Sequence, residues 1–288
     1  MDATTRQAIL TAQRNEISEH LIYQGLARAT RDPHNAQVLQ RIAEEELAHY
    51  RFWRQYSEQD VKPMRAKVRW YTLLARVLGL TFSIKLMERG EEQAQAAYAT
   101  IAQAVPAAEA IVHDEDRHEQ QLIALLDEER LRYVGSMVLG LNDALVELTG
   151  ALAGFTLAMQ NTRLIGMAGL ITGIAASLSM AASEYLSTRS EESGQDPVKA
   201  SLYTGIAYVL TVVLLILPFF LLQSYLLALG WTLGNAVLVI LLFTYYVAVA
   251  RDLSFKRRFL EMAAISLGVA LLSFIIGYLV GEALHIDL

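Results

Sequence analysis

The chain has 288 residues and no cysteine. Disulfides, thiolate-held metals, iron–sulfur clusters and a rubredoxin-type iron site are therefore excluded. The lack of thiols also agrees with a soluble part that faces the cytoplasm. There is no basic tract and the net charge is −6, so nothing points to nucleic acid. The segment from Met1 to Arg14 holds no apolar run, and a cleaved signal peptide is not expected. Charge itself runs out part-way along. Before about Tyr133 the chain is rich in Glu, Arg, Gln and Ala. Beyond it the residues are mostly apolar, with charges gathered in short connections. This division predicts a soluble domain followed by a membrane domain.

Four helices account for the soluble part. Apolar spacing at Ile9, Ile17, Leu21 and Leu26 predicts the first from about Thr5 to Ala29. Asp32-Pro33 reads as an N-cap with Pro at the first helical position, opening a second helix to about Tyr56. A long third helix is expected from Met64 to Ala102, and a fourth from Pro106 to Arg130. The first half of helix three, Trp70 to Leu86, is unusually apolar. It lies against the membrane, against a second subunit, or in the helix-bundle core. Five apolar spans follow, near Val134–Met159, Leu164–Leu186, Ser201–Leu222, Leu226–Val249 and Ala263–Leu284. Each is long enough to cross a hydrocarbon core of about 30 Å. Lys and Arg collect before span one, between spans two and three, and between spans four and five. The positive-inside rule then puts the N-terminal domain in the cytoplasm and Leu288 on the opposite side.

The most informative pattern is Glu-x-x-His, which occurs as Glu46-Leu47-Ala48-His49 and as Glu115-Asp116-Arg117-His118. A three-residue step on a helix returns to nearly the same face. Each copy therefore aims a carboxylate and an imidazole at one point. A di-metal helix bundle needs two such pairs plus one Glu from each remaining helix. Helix one supplies Glu16, with Glu19 one step further on the same face as a weaker candidate. Helix three offers Glu88 and Glu91, either or both of which can serve. Oxygen ligands with some imidazole suit iron. Without a cation such carboxylates repel, and one or more must bind a proton. Glu44, Glu45, Glu58 and Glu109 read as a solvated face, His20, His34 and His113 as surface or packing residues, and Tyr50 and Trp53 as packing.

The membrane half carries a second set. Asp143 and Glu147 stand four apart in span one, and so share a face. Carboxylates in an apolar span are costly unless they face water, metal or a partner. Met180 and Glu184 stand four apart in span two. A mixed carboxylate and thioether path suits a borderline ion such as iron(II). Small residues, among them Gly140, Gly150 and Gly154, allow close helix approach.

Residues 5–130 resemble the rubrerythrin and ferritin-like superfamily. The resemblance rests on Glu16-Ile17-Ser18-Glu19-His20-Leu21-Ile22-Tyr23, on both Glu-x-x-His copies, and on Gly90-Glu91 with Tyr98. It implies iron ligation by Glu16, Glu46, His49, Glu91, Glu115 and His118, with Tyr23 packed beside the metals. Manganese or zinc are substitutes for the iron. Spans one to five resemble the vacuolar iron transporter family, with its nodulin-like members. That resemblance rests on residues 140–154, Gly-Leu-Asn-Asp-Ala-Leu-Val-Glu-Leu-Thr-Gly-Ala-Leu-Ala-Gly, and 179–187, Ser-Met-Ala-Ala-Ser-Glu-Tyr-Leu-Ser. It implies a homodimer working as a divalent-metal/proton antiporter. Asp143 would be the ion and proton site, and Met180 and Glu184 would line the path. Eukaryotic members carry a Glu-rich helical domain between spans two and three, whereas this connection is short, about Thr188 to Ala200. The whole chain resembles the bacterial membrane-bound ferritins.

The expected fold is all-α. A ferritin-like antiparallel four-helix bundle over 1–130 precedes a five-span helical membrane domain over 131–288. The expected protein sits in a prokaryotic inner membrane and exports Fe2+ from the cytoplasm by proton antiport. Its partners are Fe2+ and other divalent metals, the lipid bilayer and a second copy. The bundle captures iron and carries a candidate ferroxidase or peroxidase activity. Two other readings stay open: an anchored di-iron oxidase or peroxidase, and a manganese or general divalent-metal transporter with a sensing bundle.

Overall fold

A computed structural model describes residues 3–87, 89, 101, 105–124, 133–191 and 194–283. Every regular element among the described residues is helical. The chain divides into two compact units, Met1–Glu128 and Glu129–Leu288.

In the first unit α1 spans Ala3–Ala29 and α2 spans Pro33–Ser57. The Asp32 side chain accepts the Asn35 backbone N–H, and Pro33 occupies the first turn. This satisfies one free donor of the helix start where Pro has none to offer. The short link makes α1 and α2 neighbours, and they pack along much of their lengths. α3, Arg65–Leu78, lies on α1. A 3-10 turn, Pro106–Ala108, leads into α4, Glu109–Ala124, which touches α2. One core joins Ile22, Leu26, Leu39, Ile42, Ile84 and Leu122. A second joins Ile9, Trp53, Ile101 and Ile111.

The third helix departs from expectation. It is not continuous through Gly79, whose φ of 102° no ordinary helix residue adopts. Helix resumes at 80–87. The Ser83 hydroxyl donates to the Tyr71 carbonyl at 2.9 Å, a separation that a straight helix rising 1.5 Å per residue forbids. The chain bends sharply here.

The second unit holds α5, Val134–Met159; α6, Thr162–Ser190; α7, Pro197–Leu221; α8, Tyr225–Ala250; and α9, Phe255–Ala283. All five are long and apolar enough to cross a membrane. Asn161, Asp196 and Ser224 cap α6, α7 and α8 through side-chain oxygens. α5 is the hub and packs on each of the other four. Glycine makes this closeness feasible at two points. A Cβ on Gly140 would meet the Thr204 carbonyl oxygen at 2.6 Å, and one on Gly277 would strike the Gly154 carbonyl. Thr204 and Ser266 donate across the helices to Ser136 and Leu145 carbonyls, at 2.9 and 2.8 Å. Large apolar side chains such as Ile171, Leu178 and Leu271 face outward, as lipid contact requires.

Candidate metal centre

Three helices deliver the first cluster. α1 contributes Glu16, α2 contributes Glu46 and His49, and α4 contributes Glu115 and His118. Glu16, Glu46, His49 and His118 are buried and Glu115 is nearly so. One ligand atom from each of Glu16, Glu46, His49 and Glu115 lies within 4.8 Å of the others. Both imidazoles turn Nδ1 inward. His49 Nδ1 stands 3.6 Å from Glu16 Oε2, 3.6 Å from Glu46 Oε2 and 3.2 Å from Glu115 Oε1. His118 Nδ1 stands 3.2 Å from Glu46 Oε1 and 3.9 Å from Glu115 Oε2. The ring centroids are 5.7 Å apart. Glu46 therefore touches both imidazoles.

The outward Nε2 atoms are held as well. His49 Nε2 meets Asp114 Oδ2 at 3.3 Å, and His118 Nε2 meets Glu45 Oε2 at 2.5 Å. Asp114 on α4 thus braces the imidazole of α2, and Glu45 on α2 braces that of α4. The Arg117 guanidinium ties both acids together, at 2.9 Å to Asp114 and 3.2 Å to Glu45. Fixing the far nitrogen sets the tautomer and aims the near one. Trp53 Nε1 donates to Glu16 Oε1 at 2.9 Å in the same way.

This corrects one sequence reading and extends another. Glu45 does not lie on a freely solvated face, because it is bound to His118 and Arg117. Trp53 packs in the core but also holds a cluster carboxylate. Helical spacing alone does not single out Asp114. The available signal was the acid that directly precedes Glu in both copies, Glu45-Glu46-x-x-His49 and Asp114-Glu115-x-x-His118. Of the other candidates, Glu19 is buried and paired with Lys67 Nζ at 3.0 Å, outside the converging group. Tyr23 is buried two turns along α1 from Glu16. Glu88 and Glu91 lie outside the described residues. His20 packs, its Nδ1 2.6 Å from the Ala43 carbonyl.

Among the described residues, four buried atoms of the cluster find no hydrogen-bond partner: Glu46 Oε2, His49 Nδ1, Glu115 Oε1 and His118 Nδ1. Buried polar atoms without partners are uncommon in folded proteins. A divalent cation among oxygen and imidazole donors would satisfy all four at once. The residues fit a metal.

Protons take up the strain otherwise. Burial, helped by the neighbouring Glu46 charge, pushes the Glu16 carboxyl up to about 7. Burial raises Glu115 too. Burial works against charging His49, but the Glu115, Glu16 and Glu46 carboxylates outweigh it and raise its pKa. The same balance raises His118. The His118 and Arg117 contacts hold Glu45 below its usual range despite partial burial. Raised carboxyl and imidazole values share one sign: the folded state binds more protons than the unfolded chain. Stability from Glu16 is full below its unfolded value of 4.5 and declines as pH rises to about 7. The two histidines continue that decline above 6.5, their unfolded value. Metal-free protein is therefore expected to lose about 2–3 kcal/mol of stability from Glu16 alone between pH 5 and 8, and to melt at progressively lower temperature across that range. Saturating manganese(II) should flatten that slope, because the cation replaces the protons. Calorimetric scans with and without metal check it.

A second constellation lies in the membrane unit. Asp143 and Glu147 sit mid-way along α5, and the Tyr208 hydroxyl of α7 donates to Glu147 Oε2 at 3.2 Å. The same hydroxyl faces the Asp143 carboxylate. Tyr208 is fully buried. Sequence reasoning missed it, since a Tyr in an apolar span resembles packing. Asp143 is half-buried, whereas Glu147 is exposed on the single chain. Met180 packs against the membrane core and Glu184 is buried on α6. Among the described residues no hydrogen bond joins either to the Asp143 group.

Residues 134–195 match the VIT family. The matched stretch covers α5 and α6, and so contains Asp143, Glu147, Met180 and Glu184. A VIT domain implies a membrane transporter of divalent metal such as iron. No curated protein and no solved structure matches the chain.

Proposed function

We propose that this protein exports iron(II) from the cytoplasm by proton antiport, and that its N-terminal unit is a ferritin-like centre that gathers the metal. The observation that carries the reading is one chain joining a VIT domain to five inward-facing Glu and His side chains. Glu16, Glu46, His49, Glu115 and His118 would hold a pair of irons, with Glu88 or Glu91 completing the set. Bound iron would supply one-electron redox chemistry toward oxygen or peroxide. The chain's own part is to orient: Asp114 and Glu45 fix the imidazoles, and Trp53 fixes Glu16. Tyr23 would border the pair.

In the membrane unit, Asp143 takes the metal or the proton, and Glu147 with Tyr208 shares the charge. Exchange of one for the other at a single carboxylate couples the two flows. Met180 and Glu184 line the way to it. Glu147 supports a homodimer with the path between copies. A charged group exposed mid-span must meet water, a cation or another chain. The arginine-rich connections support a cytoplasmic N-terminal unit in a bacterial inner membrane.

Proteoliposomes test the proposal. Iron(II) movement should depend on an imposed pH gradient and be accompanied by opposite proton flow. Competition among iron, manganese, zinc and cobalt separates an iron carrier from a general one. Absence of metal movement, with the N-terminal unit still binding iron, would leave the anchored oxidase.

A further inference from the structure

α3 has two faces. One turns Val68, Tyr71 and Ala75 into the core of the first unit, while Lys67 reaches Glu19. The other is open. Trp70, Leu73 and Val77 are 55%, 53% and 61% exposed. They are three of only four large apolar side chains exposed among the described residues of that unit, Tyr56 being the fourth. At about 100° per residue they form one stripe. Arg65, Arg69 and Arg76, all exposed, run along one edge of that stripe. The helix carries no acidic residue, and among the described residues none of the three arginines makes an ion pair.

We propose that this face of α3 docks on the anionic lipid surface of the bilayer. The arginines meet headgroup phosphates, while Trp70, Leu73 and Val77 enter the boundary between headgroups and acyl chains. A helix with an apolar stripe flanked by cations is built for that interface, and Trp suits it. Charge complementarity selects lipid over a second copy, because a two-fold contact of this face with itself would gather six arginines with no acidic residue from either α3. The spans of the same chain keep the bilayer close, so docking is intramolecular and needs little buried area.

The absence of cysteine gives a clean test on the full-length protein. A fluorophore is placed at Leu73→Cys, and at Arg51→Cys on the exposed face of α2 as control. Each is reconstituted in phosphatidylcholine vesicles with or without phosphatidylglycerol, and brominated lipid serves as quencher. Quenching at position 73, but not 51, is expected when phosphatidylglycerol is present. Adding Arg65→Gln, Arg69→Gln and Arg76→Gln should lower the docked-to-undocked ratio about a hundredfold, bringing position 73 to the level of position 51. These substitutions are on the surface and leave the core untouched. Three results would overturn the proposal: no quenching at 73 by brominated lipid, equal quenching with and without the arginines, or self-quenching between labels at 73 in place of lipid quenching, which reports this face on a second copy.

Discussion

Asp143→Ala is expected to reduce the initial rate of iron(II) movement into proteoliposomes by about a hundredfold or more. A cation leaving water for a half-buried site in a membrane span loses hydration that only nearby charge replaces. One direct carboxylate contact at a few ångströms is worth about 3–4 kcal/mol even in a fairly polar protein environment. Asp143 shares its surroundings with Glu147 and the buried Tyr208 hydroxyl. On the proposed path, removing it would leave Glu147 as the one carboxylate beside Tyr208 to attract the metal, and would strip that group of one exchangeable proton. Asp143→Asn keeps the shape and should fail nearly as badly, which separates charge from packing. Metal binding at the N-terminal cluster should be unchanged in both variants. Undiminished flux in Asp143→Ala would remove the membrane half of the account.

Glu46→Ala has the largest expected effect in the other unit. Glu46 lies within 3.6 Å of His49 Nδ1 and 3.2 Å of His118 Nδ1, so it serves both Glu-x-x-His pairs. Structural metal sites with four ligands bind with about 10–16 kcal/mol in all, which is roughly 3 kcal/mol per ligand. The dissociation constant for manganese(II) or iron(II) at this cluster should rise about a hundredfold. Titration of the purified full chain measures it. The rise should appear even when Asp143 is intact, and flux at saturating metal should persist. Loss of flux with unchanged binding would reverse the assignment of the two sites.

Much of this arrangement is legible in the order of residues. Asp32-Pro33 marks the start of α2 because a capping carboxylate and a locked φ suit that position. Val134–Met159 is readable as a span from its length and hydropathy. The Glu-x-x-His spacing assigns two side chains to one helical face without any knowledge of packing. Gly79 shows where such reading fails. Flanked by Leu78 and Leu80, it looks like one weak residue in a long helix, yet its positive φ ends α3. Local periodicity also cannot reveal who sits opposite. Glu45 faces His118 and Asp114 faces His49 only once α2 and α4 pack. Tyr208 meets Glu147 across 61 residues of chain. A buried span is apolar all round, so its periodicity does not say which side meets the acids.

The most direct measurement is an anomalous difference map at the iron edge, from full-length protein loaded with iron(II) in lipid or detergent. Density is expected between His49 Nδ1 and His118 Nδ1, bordered by Glu16, Glu46 and Glu115. A map with no density there, in protein that holds iron elsewhere, would contradict it.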